Sequence, residues 1–284
     1  SLANFMNNTH VTSNDGTTWT YSPVKYWPNE GTDKLSFFAY APYGAYTVAT
    51  TGDPILDFTV NPDPTFHVDL VVADASEKKN LTKQNTTGTV QFNFKHVLSR
   101  VGFKVEAVVD EVNNQGNGDV DTDNQNKVID GNTTISVQEV ELIGTFNTAG
   151  KINLNTSLWD NTQMTTEGTS YSLAATDFND VASNVQITKE QLNKSSEYMM
   201  LIPTASPTGV QIRVKYTVTT QDGQLASGYS VVTNNITSDA FNFKFEQGKA
   251  YNFVLHLGLT SVKLSASVSG WDETDHVVNV PLNK

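Results

Sequence analysis

The sequence predicts an all-β protein built as two tandem antiparallel β-sandwich domains. Three observations carry that expectation. Apolar and polar residues alternate with a period of two wherever a pattern exists, 3.6-residue periodicity is nearly absent, and the composition favours sheet joined by tight turns. Asn and Thr are abundant, charged residues make up only 17% of the 284 positions, and the basic residues are Lys apart from Arg100 and Arg213. Thr suits strands, whereas Asn and Gly suit turns.

Along the chain, Leu35, Phe37, Ala39 and Ala41 alternate first, followed by Phe92 and Phe94, then Val101, Phe103, Val105 and Ala107. Ile135 and Val137 change phase to Val140 and Leu142 across Gln138-Glu139, which predicts a β-bulge. Val210, Ile212, Val214, Tyr216 and Val218 share one face of a half-buried strand, with Gln211, Arg213, Lys215, Thr217 and Thr219 on the other. Tyr251, Phe253, Leu255 and Leu257 repeat the arrangement, and Val262, Leu264, Ala266 and Val268 do so again. The polar stretch 110–130 reads as an insertion loop, and 159–180 as a linker or the opening of a second domain. Those readings place domains at 1–156 and 157–284. One short helical turn is expected over 188–194, with Thr188 as its N-cap.

Composition excludes several function classes. Cysteine is absent, so there is no disulfide framework, thiol catalysis or thiolate metal site. A net charge of −12 and the absence of a basic aromatic-interleaved run speak against nucleic acid. No apolar run approaches the roughly 20 residues that span a bilayer, so no transmembrane segment is expected, and a secretion signal, if used, has been removed.

Chemistry-bearing patterns are sparse. Asp119, Asp121, Asp123 and Asp130 stand at positions 1, 3, 5 and 12 of a calcium-loop spacing, which suits Ca²⁺ as a hard oxygen-seeking ion. Asn124 replaces the turn glycine and no helices flank the loop, so a solvated acidic loop is the other reading, and no other cofactor is implied. None of the five histidines is paired at metal-ligand spacing. His96 continues the Phe92/Phe94 face and reads as a buried, hydrogen-bonded strand residue. His10 and His67 lie in polar, turn-rich surroundings, and His256 lies on the polar face of its strand. No nucleophile elbow, dinucleotide loop or Walker loop occurs, so the chain does not read as an enzyme. A secreted β-sandwich glycan-active enzyme would need a convergent carboxylate pair in a cleft. Trp19, Trp27 with Tyr26, and Trp271 fall near strand ends and read as core or end-capping residues, with stacking on sugars as the alternative.

The order of Trp19-Thr20-Tyr21, Lys25-Tyr26-Trp27-Pro28, Leu35-Ser36-Phe37-Phe38-Ala39-Tyr40-Ala41-Pro42 and Phe94-Lys95-His96-Val97-Leu98-Ser99-Arg100-Val101 resembles the fimbrillin-like family of gram-negative anaerobes. Val140-Glu141-Leu142, Tyr198-Met199-Met200-Leu201-Ile202-Pro203, Gly248-Lys249-Ala250-Tyr251 and Ser267-Val268-Ser269-Gly270-Trp271 extend the resemblance over nearly the whole chain. It implies transthyretin-like, Greek-key sandwiches, export as an outer-membrane lipoprotein precursor, and assembly with other fimbrial subunits into a type V pilus at the cell surface. The family's subunits polymerise by strand exchange, and a tip adhesin binding host protein or glycan is the neighbouring role. The lipid-bearing cysteine is missing here, and an arginine-directed processing site, if used, lies upstream of Ser1. In the last segment, 276–284, Val278, Val280 and Leu282 fall on one face, the alternation a donated strand needs. The same pattern also fits the final strand of the chain's own sandwich.

Overall fold

In the computed structural model, which describes residues 5–28, 32–44, 46–76, 79–83, 90–107, 133–174, 193–194, 198–204, 209–221, 225–257, 262–271 and 276–278, strands dominate. In chain order they are β1 (Val11–Thr12), β2 (Thr20–Tyr21), β3 (Tyr40–Ala41), β4 (Ile55–Thr59), β5 (Val71–Ala73), β6 (Phe94–His96), β7 (Ser99–Ala107), β8 (Thr133–Asn153) and β9 (Leu158–Trp159). The remainder are β10 (Thr165–Ala174), β11 (Asn193–Lys194), β12 (Met199–Leu201), β13 (Gln211–Gln221), β14 (Tyr229–Thr237), β15 (Lys249–Leu257), β16 (Val262–Gly270) and β17 (His276–Val278). A 3₁₀ turn at Pro64–Phe66 follows β4, capped by the Asp63 carboxylate accepting from the Thr65 N–H.

Alternation in the sequence becomes alternation in burial. Ile212, Val214, Tyr216 and Val218 of β13 are buried while Gln211, Arg213, Lys215 and Thr217 are not. Val101, Phe103 and Val105 of β7 do the same beside Tyr251, Phe253, Leu255 and Leu257 of β15. Each such side chain contributes about 1.5–3 kcal/mol by leaving water. One six-stranded sheet has the order β10-β8-β13-β14, with β4 and β9 also on β8. The other runs β11-β7-β15-β16-β17, with β12 also on β7. Their inner faces contribute to a single hydrophobic core, with Leu56 and Phe58 from β4 and Trp159 from β9 in the first sheet, and it also takes in Val72 of β5 and the preceding Leu70 from the small β3-β5-β6 sheet. The expected bulge is present. Glu139 pairs with Lys215 but Val137 pairs with Tyr216, so Gln138 is the extra residue and its amide donates to Thr217 Oγ1 at 2.7 Å. The phase change this allows leaves both Val137 and Val140 fully buried.

Several expectations need correction. The hydrogen-bonded ladders cross the boundary expected at Thr156: β8 pairs with β10 and β13, and β7 pairs with β12 and β15. The β7–β15 pairing is parallel within an otherwise antiparallel sheet. Residues 159–174 are no linker, because Thr165–Ala174 forms the edge strand β10 with Tyr171 and Leu173 turned into the core. The Thr- and Ser-rich half of that strand looked like loop because it lies at an exposed edge. The 35–41 alternation produces only a Leu35–Leu81 bridge and the two residues of β3. Asn193 and Lys194, expected in a helical turn, pair with Val105 and Lys104 in β11. The rest of that turn, and the whole of the 110–130 stretch, lie outside the described residues.

Candidate functional site

With no catalytic motif to follow, the candidate site is where the chain approaches its terminal strand and where sheets end. Gly248 opens β15 with φ +69°, a conformation that favours glycine, and donates its N–H to the Leu98 carbonyl at 2.9 Å. A Cβ there would stand 3.2 Å from the His96 carbonyl oxygen. The Gly248 carbonyl in turn accepts the Trp271 N–H at 3.3 Å. This places the Trp271 ring flat on His96, with centroids 4.2 Å apart and planes 7° apart. The Arg100 guanidinium lies 5.2 Å from the Trp271 ring and 4.6 Å from that of Tyr198. Tyr198 covers Gly102 so closely that a Cβ there would meet its ring at 2.7 Å. His96 Nδ1 is 2.9 Å from the Asp69 carboxylate.

Four of the sequence segments that carry the family resemblance thus meet at one point. From it the chain leaves β16 for β17, whose three residues pair with Ala266, Ser267 and Val268 at the sheet edge. Val278 is the last described residue of that strand, opposite Ala266, whereas Val280 and Leu282 lie outside the described residues. Asp119, Asp121, Asp123 and Asp130 lie outside them too. Among the described residues no three His, Asp or Glu side chains gather as a metal group.

His96 is a hydrogen-bonded strand residue, as its pattern indicated, but it is half-buried against Trp271, and Phe94 is 46% exposed. His256 Nε2 lies 3.1 Å from Ser265 Oγ on the polar face of β15. Sequence reasoning missed His67. Its Nδ1 accepts the Met200 N–H at 2.9 Å, and its Nε2 lies 2.7 Å from the Asn61 carbonyl, so it bridges the 3₁₀ turn to β12. Burial lowers its pKa from the usual histidine value, which keeps it neutral. With Tyr46, Phe58, Phe66 and Met200 it lines a recess of about 340 Å³. Because both ring nitrogens are engaged, His67 pins the fold there and is not available as a base.

Among the described residues, four carboxylates have perturbed acidity, and all are lowered. Asp15 is held down by the Thr18 and Thr17 N–H groups, Asp63 by Thr65, Asp74 by Lys95 and Ser76, and Asp160 by Thr162. This is the opposite of what a general acid requires, and it fits their place in tight turns. Trp159 is buried and donates its Nε1–H to the Val97 carbonyl at 2.7 Å, while Trp19 is 62% exposed and Tyr26 81%.

An all-β fold of two six-stranded sheets sharing one core, with the short strand β17 beside β16 and its perturbed carboxylates in turns, is the framework of a structural, assembly-type protein. Residues 1–271 match the pattern of the fimbrillin-like family, and the chain belongs to that family. It is 25% identical over 317 residues to the fimbrium subunit Fim1C of Phocaeicola vulgatus, spanning 98% of this chain and 78% of that protein. The fold is shared with a fimbrial protein from Bacteroides vulgatus, at a TM-score of 0.70 and 20% identity over 95% of this chain and 86% of the other. A candidate cell adhesion protein from Bacteroides uniformis shares it at a TM-score of 0.52 and 19% identity, over 89% and 79% of the respective chains. The fimbrillin role therefore stands on family membership.

Proposed function

We propose that this chain is a structural subunit of a surface fimbrium, exported as an outer-membrane lipoprotein precursor and joined to other fimbrial subunits by exchange of an extended strand, with residues 276–284 as the donor. The observation that supports this most is the position of β17. It is a three-residue edge strand reached only after the Trp271 anchor, so its removal leaves the β15–β16 ladder and the Trp271 contacts in place. Alternating Val278, Val280 and Leu282 would fill successive pockets of a neighbour's groove while the backbone completes its sheet, and Pro281, lacking an N–H, is tolerated at an edge. In the separate chain the same segment begins by closing its own sheet.

Truncation after Asp275 tests the donor role. The expected result is an unchanged circular dichroism spectrum and melting temperature, with filaments of the proteolytically trimmed protein no longer visible by electron microscopy. A truncated protein that loses its fold makes the segment an intrinsic strand and refutes the proposal. The exposed Trp19 and Tyr26 favour a second reading, in which the chain also contacts host protein or glycan as a tip component.

A further inference from the structure

The geometry points to Arg100 as a binding site for a carboxylate side chain of an acidic peptide. The chain has more acids than bases, 30 against 18, and two arginines. Arg213 is paired with the Glu141 carboxylate across β13 and β8. Arg100 differs. Among the described residues its guanidinium meets no carboxylate, and the carboxylate of its own cluster, Asp69, is taken up by His96. Its partners are rings: it lies over Tyr198 at 4.6 Å and over Trp271 at 5.2 Å, while its Nε–H is buried without an acceptor. A guanidinium so placed has given up water at its faces and at Nε without gaining an anion, which leaves its charge uncompensated. The residues beside it in register, Ala250 and then Ser269, carry no charge that would compete. Arg100 as a whole is half-buried, so its outer, Nη end is the part a ligand can reach.

The shape of the free donor set selects the ligand. With rings over its faces, the guanidinium has only its edge left, and that edge presents N–H donors in one plane, the match to a planar carboxylate. The loss of water around Nε strengthens a charge-assisted bond formed at the open end. A dianion such as phosphate would bring a second charge that Arg100 alone leaves unpaired, in a chain whose net charge is −12. A sugar acid would bring its carboxylate with a ring that needs a face to stack on, and both aromatic rings are already occupied. Trp271 holds His96 and Arg100, and Tyr198 holds Arg100 and the Gly102 backbone. A carboxylate on a slender peptide side chain needs no such face. The site does not depend on the strand exchange proposed above, and it needs no filament.

Two arginines make the test simple, because a nitrogen-15-labelled chain shows two arginine Nε–H signals, and Arg213→Lys assigns them by removing one. The probe is the blocked tripeptide acetyl-Gly-Glu-Gly-amide. The Arg100 signal is expected to move and saturate at millimolar peptide while the Arg213 signal stays in place. Acetyl-Gly-Gln-Gly-amide, glucuronate and inorganic phosphate should each bind about tenfold more weakly or less. Arg100→Lys keeps the charge without the planar fork, and it should weaken the glutamate peptide about tenfold, read at the Trp271 indole N–H. If that variant does not fold, the titrations of the parent chain decide. A stationary Arg100 signal, an equal response to the glutamine peptide, or an equal movement of Arg213 overturns the inference. So does tighter binding of glucuronate, which makes this a sugar site, or of phosphate, which makes it a general anion site. The isolated chain suffices throughout, so failure here leaves the fimbrial reading untouched, and failure of that reading leaves this result standing.

Discussion

Replacing Trp271 by Ala tests whether the point where the family segments converge holds the fold together. The ring is mostly buried, and taking about 100 Å² of it out of contact at 25 cal/mol/Å² costs roughly 2.5 kcal/mol. Loss of the flat stack on His96 adds about 0.5–1 kcal/mol, and loss of the Arg100 guanidinium contact adds about 0.5 kcal/mol. A total of about 3.5–4 kcal/mol should lower the melting temperature by roughly 10 °C for a chain of this size. Trp19, which is 62% exposed, supplies the control, because Trp19→Ala should stay within about 0.5 kcal/mol. Urea unfolding followed by far-ultraviolet circular dichroism measures both. If the two variants shift alike, the stack does not anchor β16 and the reasoning fails.

Gly248→Ala should cost about 1–2 kcal/mol, since alanine must adopt φ +69° with its Cβ crowding the His96 carbonyl; an unchanged urea midpoint would show that the turn relaxes freely. His67 is neutral in the fold, so the unfolded chain binds its proton first as pH falls. The stability it contributes is full above about pH 6.5 and declines as pH drops below that value. His67→Gln should therefore show a shallower loss of urea midpoint between pH 7.5 and 5.5 than the parent, and identical slopes would refute the assignment. Burial pushes Tyr171 and Tyr251 up to about 12, so the unfolded chain loses those protons first and stability falls as pH rises above about 10. Absorbance at 295 nm should show both still protonated at pH 11 in the folded protein, and Tyr251→Phe should remove one such late-titrating group.

The sequence makes the long strands legible because each buries one face. β13, β15 and β16 follow directly from alternation, and even the Gln138 bulge is visible as a phase change in apolar residues. What escapes is whatever depends on distant partners. β10 reads as loop until β8 is beside it, and the parallel β7–β15 pairing brings together residues about 150 positions apart that no local pattern connects. The boundary expected at Thr156 fails for the same reason: polar spacing marks an exposed edge as readily as a linker. Of the candidate site, Trp271, His96 and Arg100 stand out in the sequence only as separate short segments. Their stacking is a tertiary fact. His67 gave no signal, because a histidine in a turn-rich stretch looks solvated until the Met200 N–H is found pointing at it.

The 21 residues of β8 have a mechanical consequence. At about 3.3 Å per residue the strand is roughly 70 Å long, and it is laced on its flanks to β13, β10, β4 and β9. Tension applied along its axis loads those hydrogen bonds side by side, in shear, so many must yield together. Tension applied across it peels them singly. A subunit pulled end to end through this strand therefore behaves as a stiff link, and its weak direction lies sideways, toward the outer edges of the sheet.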